Sequence, residues 1–157
     1  MPDSRKAENT KEDSPPSRIL LVEDNDSDMH LLEKALQARG IAYELIRYED
    51  GEEAMRFMAS NRTLTPDLIL LDLNLPRREG FDVLRAVRTM PRLVGVPVGV
   101  FTSSNAARDR RRTALIGADK YIYKPVVLGE FIEEVGKAIE ELLSLCRDRE
   151  TATPKNA

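Results

Sequence analysis

The sequence predicts a doubly wound α/β domain, and two features carry that prediction. Five short aliphatic runs alternate with amphipathic stretches of helical period, and the runs are almost continuously apolar rather than alternating apolar and polar. Alternation of strand and helix implies a parallel sheet, and strands lacking a polar face imply helices on both sides of it. A chain of 157 residues, 41% hydrophobic and 32% charged, can hold one ordinary core of this kind and is short for two.

Each element has its own signal. Residues 1–18 mix Asp, Arg, Lys, Glu, Ser and Pro with almost nothing to bury, which predicts a disordered N-terminal tail. Folding is expected to begin at Ile19 with the run Ile19-Leu20-Leu21-Val22. Leu31, Leu32, Ala35 and Leu36 then fall at helical spacing before Gly40, with Asp26 or Ser27 as candidate N-cap. Ala42 to Ile46 reads as the second strand, and Ala54, Phe57 and Met58 mark a short helix after Gly51. Leu68 to Leu71 is the third strand, followed by a helix marked by Val83, Leu84 and Val87 and ended by Pro91. Val96 to Phe101 is the fourth strand, and Ala106 to Ile116 is a helix stopped by Gly117. Tyr121 to Tyr123 is the fifth strand. The last helix, Leu128 to Leu145, places Phe131, Ile132, Val135, Ile139, Leu142 and Leu143 on one side. The folded domain is thus expected over residues 19–145, with 146–157 a fraying, disordered C-terminal tail.

Composition excludes several classes of function. Lys and Arg total 24 against 27 Asp and Glu, a net charge of -3, which gives no general attraction to nucleic acid or anionic lipid. Arg108, Arg110, Arg111 and Arg112 form a local basic cluster that reads first as a solvated helix face able to tune a partner interface. The single cysteine, Cys146, rules out an intramolecular disulfide and fits a reducing cytoplasm. No secretory signal is visible, and no run approaches the ~20 apolar residues of a membrane span. The mostly polar residues after Leu145 are too few for a helix-turn-helix module, so output is expected through contact with another protein and not with DNA. His30, the only histidine, has no metal-ligand companions and reads as a helix-surface residue.

In doubly wound folds ligands sit at the carboxyl ends of the strands. Glu23 and Asp24 follow the first aliphatic run, Asp72 the third, Thr102 and Ser103 the fourth, and Lys124-Pro125 the fifth. A parallel sheet brings Glu23, Asp24 and Asp72 into one cleft, where two carboxylates ~4 Å apart repel by roughly 4 kcal/mol at an effective dielectric constant near 20. A cation is needed between them, and an open all-oxygen site with few carboxylates suits Mg²⁺ better than Ca²⁺. With such a cation, and with the Lys124 ammonium and Thr102 hydroxyl on the phosphoryl oxygens, an aspartate can attack phosphorus.

This pattern resembles the receiver family typified by the chemotaxis regulator CheY, over residues Ile19 to about Leu145. The residues that carry the resemblance are Glu23-Asp24-Asn25, then Asp72 within Leu70-Leu71-Asp72-Leu73-Asn74-Leu75-Pro76 with Gly80 after it, Thr102-Ser103-Ser104, and Lys124-Pro125. The separations of 48, 30 and 22 residues between Asp24, Asp72, Thr102 and Lys124 fit a receiver without unusual insertions. The resemblance implies a flavodoxin-like, five-stranded parallel sheet in the order 2-1-3-4-5. It also implies a response regulator switch, rather than an enzyme, that takes a phosphoryl group from a sensor histidine kinase. Asp72 would be the phospho-acceptor and would bind Mg²⁺ together with Asp24, with Glu23 acting mainly through water and Asn74 through its backbone carbonyl. Thr102 and Lys124 would hold the phosphoryl group, Thr102 and Tyr121 would form the switch pair, and Pro125 would follow a cis peptide. The acidic pair is Glu-Asp where CheY has two aspartates.

A finer resemblance, in Val22 to Asp28 with Leu31, Leu32, Ala35 and Leu36 and in the long connection Met90 to Pro97, is to the small regulators that serve phytochrome-type histidine kinases. It implies a homodimer through the face formed by residues 106–116, 120–123 and 127–145. Three other readings stand beside it. A haloacid-dehalogenase-type phosphohydrolase wants a second Asp where this chain has Asn74. A degenerate receiver would bind partners without phosphorylation, although every phosphotransfer residue is present. A phosphate sink would share all the chemistry and differ only in its use.

Overall fold

The computed structural model describes residues 15–60 and 65–152. Most of the expected N-terminal tail, and the chain after Ala152, lie outside the described residues. The elements run β1 (Ser17–Val22), α1 (Asp26–Ala38), β2 (Tyr43–Tyr48), α2 (Gly51–Ala59), β3 (Leu68–Leu71), α3 (Gly80–Thr89), β4 (Val98–Thr102), α4 (Ala107–Ile116), β5 (Lys120–Tyr123) and α5 (Leu128–Ala152), with a 3₁₀ turn at Pro91–Leu93. All strand pairs are parallel, in the order β2-β1-β3-β4-β5.

Side-chain alternation along the central strands divides the interior into two layers. Ile19, Leu21, Leu68, Leu70 and Phe101 face α1 and α5, where they meet Leu32, Leu36, Phe131, Val135 and Ile139. Leu20, Val22, Ile69, Leu71, Val98 and Val100 face the other side and meet Ala54, Met58, Val83, Leu84 and Val87 of α2 and α3. β1, β3 and β4 lie inside the sheet, and β3 and β4 are buried along their whole length. Edge strand β2 is only partly covered and carries Glu44 and Arg47 within it.

Several boundaries differ from the sequence reading, each for a local reason. β1 starts at Ser17 rather than Ile19, because Ser17 and Arg18 pair with Tyr43 and Glu44 and the Arg18 amide donates to the Asp67 carboxylate at 2.8 Å. The N-cap of α1 is Asn25, whose Oδ1 accepts the Asp28 amide at 3.0 Å, not Asp26 or Ser27. α5 continues past Leu145 to Ala152, so Cys146 and the residues after it extend the helix where a frayed end was expected. The stretch Arg147-Asp148-Arg149-Glu150 lacks apolar periodicity but is rich in good helix formers. Among the described residues every peptide bond is trans, Lys124-Pro125 included, which corrects the expected cis bond. The trans form is intrinsically favoured even before proline, by about 0.5–1 kcal/mol. Among the described residues no helix is long and apolar enough to cross a membrane.

Candidate functional site

Strand order reverses between β1 and β3, and the crevice at their carboxyl ends is where a doubly wound sheet places its ligands. Glu23 leaves β1 fully buried and Asp72 leaves β3 with 6% exposure. Carboxylate oxygens of Glu23, Asp24 and Asp72 lie within 4.8 Å of one another, with Asp24 on the exposed side. Thr102, the last residue of β4, is fully buried, and Lys124 follows β5 with 8% exposure. The fold therefore gathers Glu23, Asp24, Asp72, Thr102 and Lys124 at one end of the sheet.

Lys124 holds the carboxylates together. Its Nζ donates to Glu23 Oε2 at 2.8 Å, to Asp28 Oδ2 at 2.8 Å and to Asp72 Oδ2 at 3.3 Å, and it lies 4.7 Å from the centroid of the Phe101 ring. Burial alone pulls the pKa of this ammonium down, but Asp72, Asp28 and Glu23 outweigh it and leave Lys124 raised and charged. Glu23 is pushed up to about 7, first by burial and then by the Asp72 charge, against the opposing pull of Lys124. A buried carboxylate so disfavoured beside two others is a site short of positive charge, and its all-oxygen donor set suits a hard divalent cation.

The loops are built to hold these groups in place. Arg47 of β2 donates through Nε to the Glu23 carbonyl at 2.9 Å and pairs through a terminal nitrogen with Asp26 at 2.7 Å, which pins the acidic turn after β1. The Asn74 amide donates to Asp72 Oδ1 at 3.2 Å. Gly80 passes so close to the acceptor that a Cβ there would lie 2.2 Å from the Asp72 carbonyl oxygen and 2.6 Å from Leu73 Cα. Arg77 in the same loop has φ 65 and pairs with Asp50 at 3.0 Å. A non-glycine residue in that region is uncommon and tends to mark functional loops.

On the β4 side, Thr102 Oγ1 accepts the Ser104 amide at 3.2 Å, and Ser104 Oγ donates to Asp109 of α4 at 2.6 Å. The half-buried Tyr121 donates its hydroxyl to the Ser104 carbonyl at 2.6 Å, while the Arg110 guanidinium of α4 lies 4.5 Å above its ring. Thr102, Ser104, Tyr121 and α4 thus form one connected unit. Next to it, a groove of about 940 Å³ runs between the loop after β3 and α4, lined by Leu73, Asn74, Phe81, Arg108, Arg111 and Leu115 among others.

Sequence reasoning missed two members of the site. Asp28 sits in the first turn of α1 rather than at a strand end, and Arg47 lies inside an edge strand, so neither was sought. The polar residue interrupting β2 and the acidic turn opposite it were the available signal for Arg47.

The family model for the response regulator receiver domain matches residues 19–136. The chain is 41% identical over 102 residues to response regulator Rcp1 of Synechocystis sp., covering 62% of this chain and 69% of that protein. In structure it resembles the phosphorylated cyanobacterial phytochrome response regulator RcpA, with 34% identity and a TM-score of 0.76 over 88% of this chain and 98% of that one. It also resembles the receiver domain of the sensor histidine kinase PA1611 of Pseudomonas aeruginosa, solved with magnesium in its active site cleft, at 27% identity and a TM-score of 0.66 over 83% and 99% of the two chains. With the family's strand order and an acidic cleft at the strand ends, the chain belongs to the response regulator receiver family, the CheY-like switches of two-component signalling.

Proposed function

We propose that Asp72 accepts a phosphoryl group from the phosphohistidine of a sensor kinase, with Mg²⁺ held by Asp24, Asp72, the Asn74 carbonyl and, through water, Glu23. The observation that carries this reading is the buried Asp72 carboxylate lying within 4.8 Å of two other acids and 3.3 Å from the Lys124 ammonium. One Asp72 oxygen attacks phosphorus as the donor's N–P bond breaks, and the electron pair leaves with the imidazole. When bound, the metal would offset charge on the acceptor and on the transferring group. Lys124 supplies a second positive charge, and the Thr102 hydroxyl and nearby backbone amides supply donors to the new phosphoryl oxygens.

Phosphorylation adds negative charge beside the Thr102 hydroxyl, which accepts the Ser104 amide. Movement of Thr102 toward that charge disturbs Ser104, and with it the hydroxyl of Tyr121 and the Asp109 anchor of α4. The output is then a changed surface on α4, β5 and α5, and dimerisation through that face is part of the proposal. A phytochrome-type kinase is the proposed donor, supported by the likeness to Rcp1 and RcpA. Incubation with an autophosphorylated, ³²P-labelled bacterial phytochrome kinase tests this, with label expected to move to wild type and not to Asp72→Asn. Label that stays on the kinase with both proteins would overturn the donor assignment.

A further inference from the structure

The three protons of the Lys124 ammonium are all engaged, and one acceptor has no part in the proposed chemistry. Asp28 Oδ2 is 2.8 Å from Nζ, as near as Glu23 and nearer than Asp72 at 3.3 Å. Asp28 also stands outside the three-carboxylate cluster of Glu23, Asp24 and Asp72. Its backbone is fixed in the first turn of α1, since the Asp28 amide is bonded to the Asn25 cap at 3.0 Å, and its side chain is 24% exposed at the mouth of the cleft.

We infer that Asp28 is a positioning residue for Lys124, which keeps the ammonium at the acceptor while Glu23 and Asp72 are engaged in phosphotransfer. The inference rests on the phosphotransfer reading above. Any positive group drawn into the cleft competes with Lys124 for Glu23 and Asp72, because those acids face both. Asp28 lies outside that three-carboxylate cluster and keeps its bond to the lysine. A long lysine side chain loses much of its rotamer freedom when it is fixed. Asp28 fixes it before the phosphoryl donor arrives, so less of that cost falls on the transfer step. An acid in the first turn of α1 would also stabilise the helix by complementing its dipole, and the test must separate that role from this one.

Exchange of the Lys124 ammonium protons with water, followed by ¹⁵N NMR on the whole chain, reads the contact directly. Loss of the resonance in Lys124→Arg identifies it. Asp28→Ala is expected to speed this exchange about tenfold, the equivalent of ~1.4 kcal/mol, and to slow phosphorylation by acetyl phosphate by a similar factor, with Asp28→Asn intermediate because it keeps an acceptor without the charge. Unchanged ammonium exchange in Asp28→Ala, even with a lowered melting temperature, would leave only the helix role and overturn the inference. Faster exchange with an unchanged phosphorylation rate would also overturn it. If wild type takes no phosphoryl group at all, the phosphotransfer reading fails, while the exchange comparison still decides whether Asp28 holds the lysine.

Discussion

Helices α4 and α5 both pack against the edge strand β5 and are built from opposite chemistry. α5 drives Phe131, Val135, Ala138, Ile139, Leu142 and Leu143 into the core beneath the sheet, with Phe131 edge-on to Phe101 at 5.8 Å between ring centres. α4 buries Thr113, leaves Leu115 88% exposed, and otherwise presents a row of arginines. Beyond the partly buried Ile116 at its end, its ties to the rest of the fold are polar: the Ser104–Asp109 bond and the Arg110 and Arg112 guanidinium groups over Tyr121 and Phe81. An apolar anchor resists displacement in proportion to the area it buries, whereas a few polar bonds near the site can be exchanged for others at small cost. One helix holds the fold, and its neighbour is the one the proposed switch would move.

The largest effect that sharpens this contrast is expected on α5. Phe131→Ala should cost about 3–5 kcal/mol of unfolding free energy in urea denaturation; a loss below about 1 kcal/mol would mean that α5 is not the anchor described. Gly80→Ala comes next, because its Cβ meets main-chain atoms of Asp72 and Leu73 that cannot move aside. About 1–3 kcal/mol of destabilisation is expected, together with slower phosphorylation, and a fully active and equally stable variant would contradict the close approach. On α4 the same scan should register almost nothing: Leu115→Ala and Arg111→Ala should shift stability by no more than about 0.5 kcal/mol. They are expected to alter dimerisation or partner binding, measured by sedimentation with beryllofluoride as phosphoryl mimic. Stability losses on α4 as large as those on α5 would erase the distinction.

The fold was legible because the aliphatic runs and helical periods are strong signals, and the strand order followed from the family resemblance. Boundaries were less legible where polar residues join a strand by backbone pairing, as at Ser17 and Arg18, or where a helix outruns its apolar stripe, as α5 does after Leu145. The strand-end acids, Thr102 and Lys124 were found because position after a buried strand is a geometric rule that sequence preserves. Asp28 and Arg47 were not, because their roles depend on distances across β2, α1 and the loop after β5 that no sequence spacing encodes. Tyr121 was expected as a switch aromatic, and the structure supplies what the sequence could not, namely its tie to Ser104 and Arg110.

All of this depends on Asp72 being a metal-assisted phospho-acceptor, which intact mass reads most directly. Wild type and Asp72→Asn are incubated with acetyl phosphate and Mg²⁺, and wild type also with EDTA. One added phosphoryl mass on wild type alone, lost with EDTA, is the predicted result. No adduct on wild type, or an adduct that survives in Asp72→Asn, would contradict it.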